Sequence, residues 1–179
     1  MKNRSIIPVL LLIIVIPGFT QVKPPVKKVY GYKQASIPGI LPASDEFDIK
    51  ENNAPKKSER KQTYNYWFYL EFPKTEKINI TGLWISNSRY EIKVDTITQF
   101  PVKKIVFTGM DKNDTTIMVP ATKNRVLLVY PSGESKIDDS KYELNLTRIN
   151  ELVIRYTWKK QTYYTTLKKL KEINPDVRQ

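Results

Sequence analysis

The chain contains neither cysteine nor histidine. Without cysteine there can be no disulfide, no thiolate nucleophile, no lipid-modified N-terminal cysteine and no sulfur ligand for zinc. Without histidine, the commonest general base and the commonest transition-metal ligand are missing too. Glycine is scarce, at six residues in 179, and no glycine-rich phosphate loop is present. The longest apolar run, Ile6 to Ile16, is short of the about 20 residues that a membrane-spanning helix needs.

That run has a different meaning. Lys2 and Arg4 precede it, and Pro17, Gly18, Phe19 and Thr20 break it before Gln21. This is the charged, apolar and cleavage-region order of a secretory signal peptide. We read residues 1–20 as the signal, with Gly18-Phe19-Thr20 as the nearest small-x-small triplet and the cut before Gln21. An uncleaved signal serving as a short anchor is the alternative. After cleavage no transmembrane span remains. The absence of cysteine and the short signal point to a bacterial envelope, periplasmic or extracellular. In that route the sequons at Asn79, Asn113 and Asn145 carry no meaning.

Acidic residues are in deficit. Lys and Arg number 30 against 18 Asp and Glu, and removing the signal leaves 28 against 18. Such a balance favours anionic partners. Lysine far exceeds arginine, the better bidentate phosphate reader, and export removes the protein from nucleic acid. An anionic glycan or an envelope protein is the expected partner, and no nucleic acid is expected.

Residues 21–62 read as an extended leader. Pro24, Pro25, Pro38, Pro42 and Pro55 interrupt regular structure. Within it, Val29 to Tyr32 and Ile37 to Leu41 form apolar islands able to dock as an added strand. From Tyr64 onward, period-2 alternation dominates. Tyr64, Tyr66, Phe68, Leu70 and Phe72 share one face, with Trp67 and Tyr69 on the other. A second strand runs through Ile78 and Ile80, and Gly82 shifts the pattern to Leu83 and Ile85 as a bulge does.

Further strands are predicted around Tyr90 to Val94, Lys104 to Gly109, Thr115 to Pro120, Arg125 to Tyr130, Lys141 to Leu146, Glu151 to Trp158 and Thr162 to Leu167. Asp111 to Asp114 and Pro131-Ser132-Gly133 read as turns. The tail from Thr166 to Ile173 has helical spacing. Short strands at this spacing predict a single all-β domain over 63–174, with 175–179 as a tail. The expected form is an immunoglobulin-like antiparallel sandwich, with a lipocalin-like barrel as second choice.

Motifs for catalysis are thin. Ser58-Glu59-Arg60-Lys61 has Ser-x-x-Lys spacing but lies in a charged linker without its partner motifs. The carboxylates Asp138-Asp139 and Asp111/Asp114 fall in turn clusters, where acids cap and solvate. Asp111, Asn113 and Asp114 lack the glycine and distal glutamate of a calcium loop. No catalytic residue, metal or cofactor is assigned. The candidate ligand-binding residues are Trp67, Tyr69 and Trp84, flat aromatics beside lysines that suit sugar rings with acidic substituents. The predicted function is a non-catalytic exported binding or interaction module. The alternative is an accessory subunit of an envelope assembly docking through its leader.

Overall fold

The computed structural model describes residues 23–36, 63–109, 112–136 and 141–175. Residues 1–22, which include the segment expected to be a signal, most of the expected leader, Ser58 to Lys61, Asp111, Asp138-Asp139 and residues 176–179 lie outside the described residues. In chain order the elements are β1 (Lys28–Ser36), β2 (Thr63–Phe72), β3 (Asn79–Ile85), β4 (Ser88–Ile97), β5 (Val102–Gly109), β6 (Lys112–Val119), β7 (Arg125–Lys136), α1 (Lys141–Thr147), β8 (Leu152–Trp158), β9 (Gln161–Leu167) and β10 (Lys171–Ile173). The protein is all-β, as its alternating pattern dictates.

Eight strands form one sheet in the order β10-β1-β2-β7-β4-β3-β8-β9, while β5 and β6 pair separately. All neighbours are antiparallel except β1 and β10, which run parallel through Tyr32–Lys171, Lys33–Glu172 and Gln34–Ile173. The two outermost strands of the sheet, β9 and β10, are consecutive in the chain, with only Lys168, Lys169 and Leu170 between them. So short a link spans on the order of 10 Å. The sheet must therefore curl until its two ends are adjacent, and it forms a half-barrel.

Curling gives the sheet an inner and an outer core. Inside lie Phe68, Leu70 and Phe72 of β2, Leu83 and Ile85 of β3, Val129 of β7, and Leu152, Ile154, Tyr156 and Trp158 of β8. Gly31 of β1 admits the seam to this core. A Cβ there would lie 2.6 Å from methyl carbons of both Leu167 and Leu170. Outside, Tyr32, Tyr69, Val126 and Ile173 are covered by Val106, Met118 and Val119 of the β5–β6 hairpin. The Tyr32 hydroxyl fastens that cover by donating to the Met118 carbonyl at 2.7 Å.

The Gly82 bulge is present, with the β3–β8 register shifting between Ile80 and Gly82. Three local expectations are corrected. Lys141 to Leu146 forms the helix α1 rather than a strand, and it buries Glu143 and Thr147, one helical turn apart. The tail forms β10 rather than a helix. Its apolar residues serve two cores, with Leu170 in the inner and Ile173 in the outer. Pro131-Ser132-Gly133 does not turn the chain. β7 continues through it past a register shift opposite Arg89 and Glu91, with Gly133 at φ 85°. The Val29 to Tyr32 island lies in β1, between β2 and β10.

Candidate functional site

Trp67, Tyr69 and Trp84 do not share a surface. Trp67 and Tyr69 project from the outer face of β2 beneath the β5–β6 hairpin, in the outer core. Tyr69 is 4% exposed, and Trp67 is half-buried with the Lys104 ammonium 4.3 Å above its ring. Burial raises the Tyr69 phenol to about 12. Trp84, on β3, is fully buried between the Arg89 and Arg155 guanidinium groups. Arg155 in turn donates to Glu143 at 2.9 Å, which also accepts from the Tyr164 hydroxyl at 2.8 Å. These contacts fasten α1 to the sheet. Tyr69 and Trp84 are thus buried in position, whereas Trp67 is half-buried under the Lys104 ammonium.

A different region gathers charge. Alternate connections of an antiparallel sheet fall at the same end, and here one end carries most of the exposed lysines. Lys23, Lys27 and Lys28 come from the segment leading into β1, and Lys74 and Lys77 from the β2–β3 connection. Lys123 and Arg125 join from the β6–β7 connection, and Lys159 and Lys160 form the β8–β9 turn. Physical contacts tie these pieces together. The Lys27 ammonium donates to the Asn124 side-chain carbonyl at 3.3 Å, and Lys74 lines a hollow with Asn124 and Arg125.

The carboxylates near this end are already engaged. Glu71, 5% exposed on β2, accepts from the Tyr30 hydroxyl at 2.9 Å, the Thr122 hydroxyl at 2.7 Å and the Asn124 amide. Burial alone raises its pKa, but hydrogen bonds from Asn124, Thr122 and Tyr30 outweigh it and hold the carboxyl below its ordinary value. Tyr30 answers by rising to about 12, through burial and its bond to Glu71. Glu71 therefore pins the β6–β7 connection and orients Asn124 toward Lys27. Glu76, the one acid within the connections at this end, accepts from the Trp158 indole N–H at 2.6 Å.

Between these groups lies a cleft of about 470 Å³. It is lined by Lys23 to Lys27 of the entering segment, by Pro73 and Glu76 of the β2–β3 connection, and by Trp158 and Lys159. The Lys159 ammonium sits 4.4 Å above the Trp158 ring. Lys159 and Lys160 hold φ of 48° and 65° in a two-residue turn, a geometry that favours Asn-Gly. Two long cationic side chains are thereby kept where a small residue costs less.

Sequence reasoning missed this end because its cations are dispersed over four connections. The available signal was topological. Once the strands are counted, these lysines fall on alternate turns. Among the described residues no cluster of acids could hold a metal ion, and no helix is long and apolar enough to cross a membrane. Comparison with protein-family models, curated proteins and solved structures found no match.

Proposed function

We propose that this chain is a non-catalytic, exported binding module of a bacterial envelope that takes an anionic ligand at the basic end of its sheet. The observation carrying this reading is the cleft beside Trp158. Lys23, Lys27 and Lys159 ring it, and its single carboxylate, Glu76, is taken up by the indole N–H. An anion entering there meets three cations against one carboxylate, which the indole N–H holds in place. Pro24 and Pro73 give the cleft an apolar lining for the carbon face of a sugar bearing acidic groups, while Trp158 itself is buried. We also take the curled sheet as closer to a barrel than a sandwich, because its end strands are consecutive. Docking of the leader onto a partner's sheet is the weaker reading, since β2 and β10 already pair β1.

Thermal denaturation of residues 21–179 with acidic and neutral polysaccharides tests the proposal. A ligand at 100 times its dissociation constant adds about 2.7 kcal/mol, roughly 5–10 °C for a domain of this size. The shift should come from acidic polymers and be lost in the combined Lys23→Gln, Lys27→Gln and Lys159→Gln variant. A shift that survives those replacements, or none from any acidic polymer, rejects this site.

A further inference from the structure

The basic end is also where the chain enters the fold. Lys23 is the first described residue, and only six residues separate it from Ile16, the last of the apolar run. Fully extended, those six residues reach about 20 Å. While Ile6 to Ile16 is held in a bilayer, the end carrying Lys23, Lys27 and Lys159 cannot move farther than that from the headgroups. The opposite end has a different character. There Lys33 is paired with Glu151 at 2.9 Å and Glu172 at 3.1 Å.

We propose that the basic end is a membrane-facing surface that docks on anionic phospholipid headgroups. While the apolar segment is retained, it and the basic patch together give the two signals that durable membrane association takes; after cleavage the basic patch alone holds the surface weakly and in a salt-dependent way. Each lysine near an anionic surface strengthens binding about fivefold, and these exposed lysines share one end of the sheet. The cleft then receives a headgroup phosphate, with Lys27 held in place by Asn124 and Lys159 by its turn. This inference rests on the reading of the basic end as the ligand site. It goes further by naming a lipid surface as the source of the anion.

The experiment is sedimentation of residues 21–179 with vesicles of phosphatidylcholine alone, and of phosphatidylcholine mixed with phosphatidylglycerol. Every residue of both cores lies between Val26 and Ile173, so this piece holds the whole described fold. Lys23→Gln, Lys27→Gln and Lys159→Gln together should lower partitioning onto the anionic vesicles by roughly a hundredfold. Lys168→Gln, Lys169→Gln and Lys171→Gln, which remove the same charge away from this end, should lower it less than about tenfold. A Lys74→Gln and Lys123→Gln pair serves if the first variant folds poorly, judged by circular dichroism.

Equal losses in the two triple variants overturn the inference and the site together, leaving net charge alone. Equal binding to neutral vesicles also overturns the inference. If an acidic polysaccharide binds in a Lys23-, Lys27- and Lys159-dependent way while anionic vesicles do not, the lipid inference falls and the binding site stands.

Discussion

The Lys33 ammonium on β1 and the Glu151 carboxylate at the start of β8 stand 2.9 Å apart across the seam where the ends of the sheet meet. The other Glu151 oxygen accepts from the Leu170 N–H at 2.7 Å, in the link between β9 and β10. The Glu151 carbonyl accepts from the Ser86 N–H in the β3–β4 turn. One residue thus ties three separate elements at the seam. The bond to Glu151 is the largest cause of the raised Lys33 pKa.

Glu151→Ala should destabilise the domain by about 2–3 kcal/mol, through an unpaired amide and a half-buried lysine that loses a partner. Urea denaturation measures this. The raised Lys33 pKa adds stability that is whole below the ordinary lysine value of 10.5 and fades as the pH climbs through the higher folded value. Lys33→Met should therefore flatten the alkaline limb of the stability curve, and an unchanged limb would contradict the pairing.

Glu71 gives the acid counterpart. Its folded pKa lies below 4.5, so its contribution is present above that value and lost as the pH falls through the lowered one. Glu71→Gln leaves Asn124 facing an amide and should cost about 1–3 kcal/mol near neutrality. The gap from the parent protein should close in acid. A gap that stays constant to low pH would mean the charge of Glu71 is not what holds the β6–β7 connection.

Gly82 and Trp84 form a packing pair on β3. A Cβ at Gly82 would overlap the indole ring, which is fully buried. Gly82→Ala should destabilise by about 1–3 kcal/mol through overpacking. The same change made in a Trp84→Phe background should cost less, because the smaller ring vacates the colliding edge. Additive losses in a double-mutant cycle would show that the glycine is needed for the bulge itself rather than for the ring.

The β8–β9 turn offers a separable prediction. Replacing Lys159 and Lys160 by Asn and Gly relieves two left-handed lysines and should raise stability by about 1 kcal/mol. The same replacement removes two cations from the basic end and should weaken anion binding. Thermal denaturation and vesicle sedimentation on one sample check both halves. Tighter or unchanged binding would exclude this turn from the ligand site.

Much of the sheet can be read from residue order, because period 2 is a local property. β2 shows its inner and outer faces in Tyr66 to Phe72, and Gly82 marks its bulge. Which outer face receives a cover is a tertiary matter. Nothing near Trp67 and Tyr69 announces that the β5–β6 hairpin lies over them. Tyr142, Leu144 and Leu146 alternate as a strand does, yet Glu143 is needed by Arg155 and Tyr164, and that pairing selects a helical turn. The basic end emerges only after topology brings four connections together.

The parallel pairing of β1 with β10 also sets an order of events. Tyr32 to Gln34 find their partners at Lys171 to Ile173, nearly the whole chain away, so closing the seam is a high-contact-order step. Until the C-terminal strand arrives, one side of β1 is an open backbone edge able to recruit strands from other molecules. A chain released before Lys171 should therefore self-associate through its own N-terminal strand, making the final short strand a guard against polymerisation.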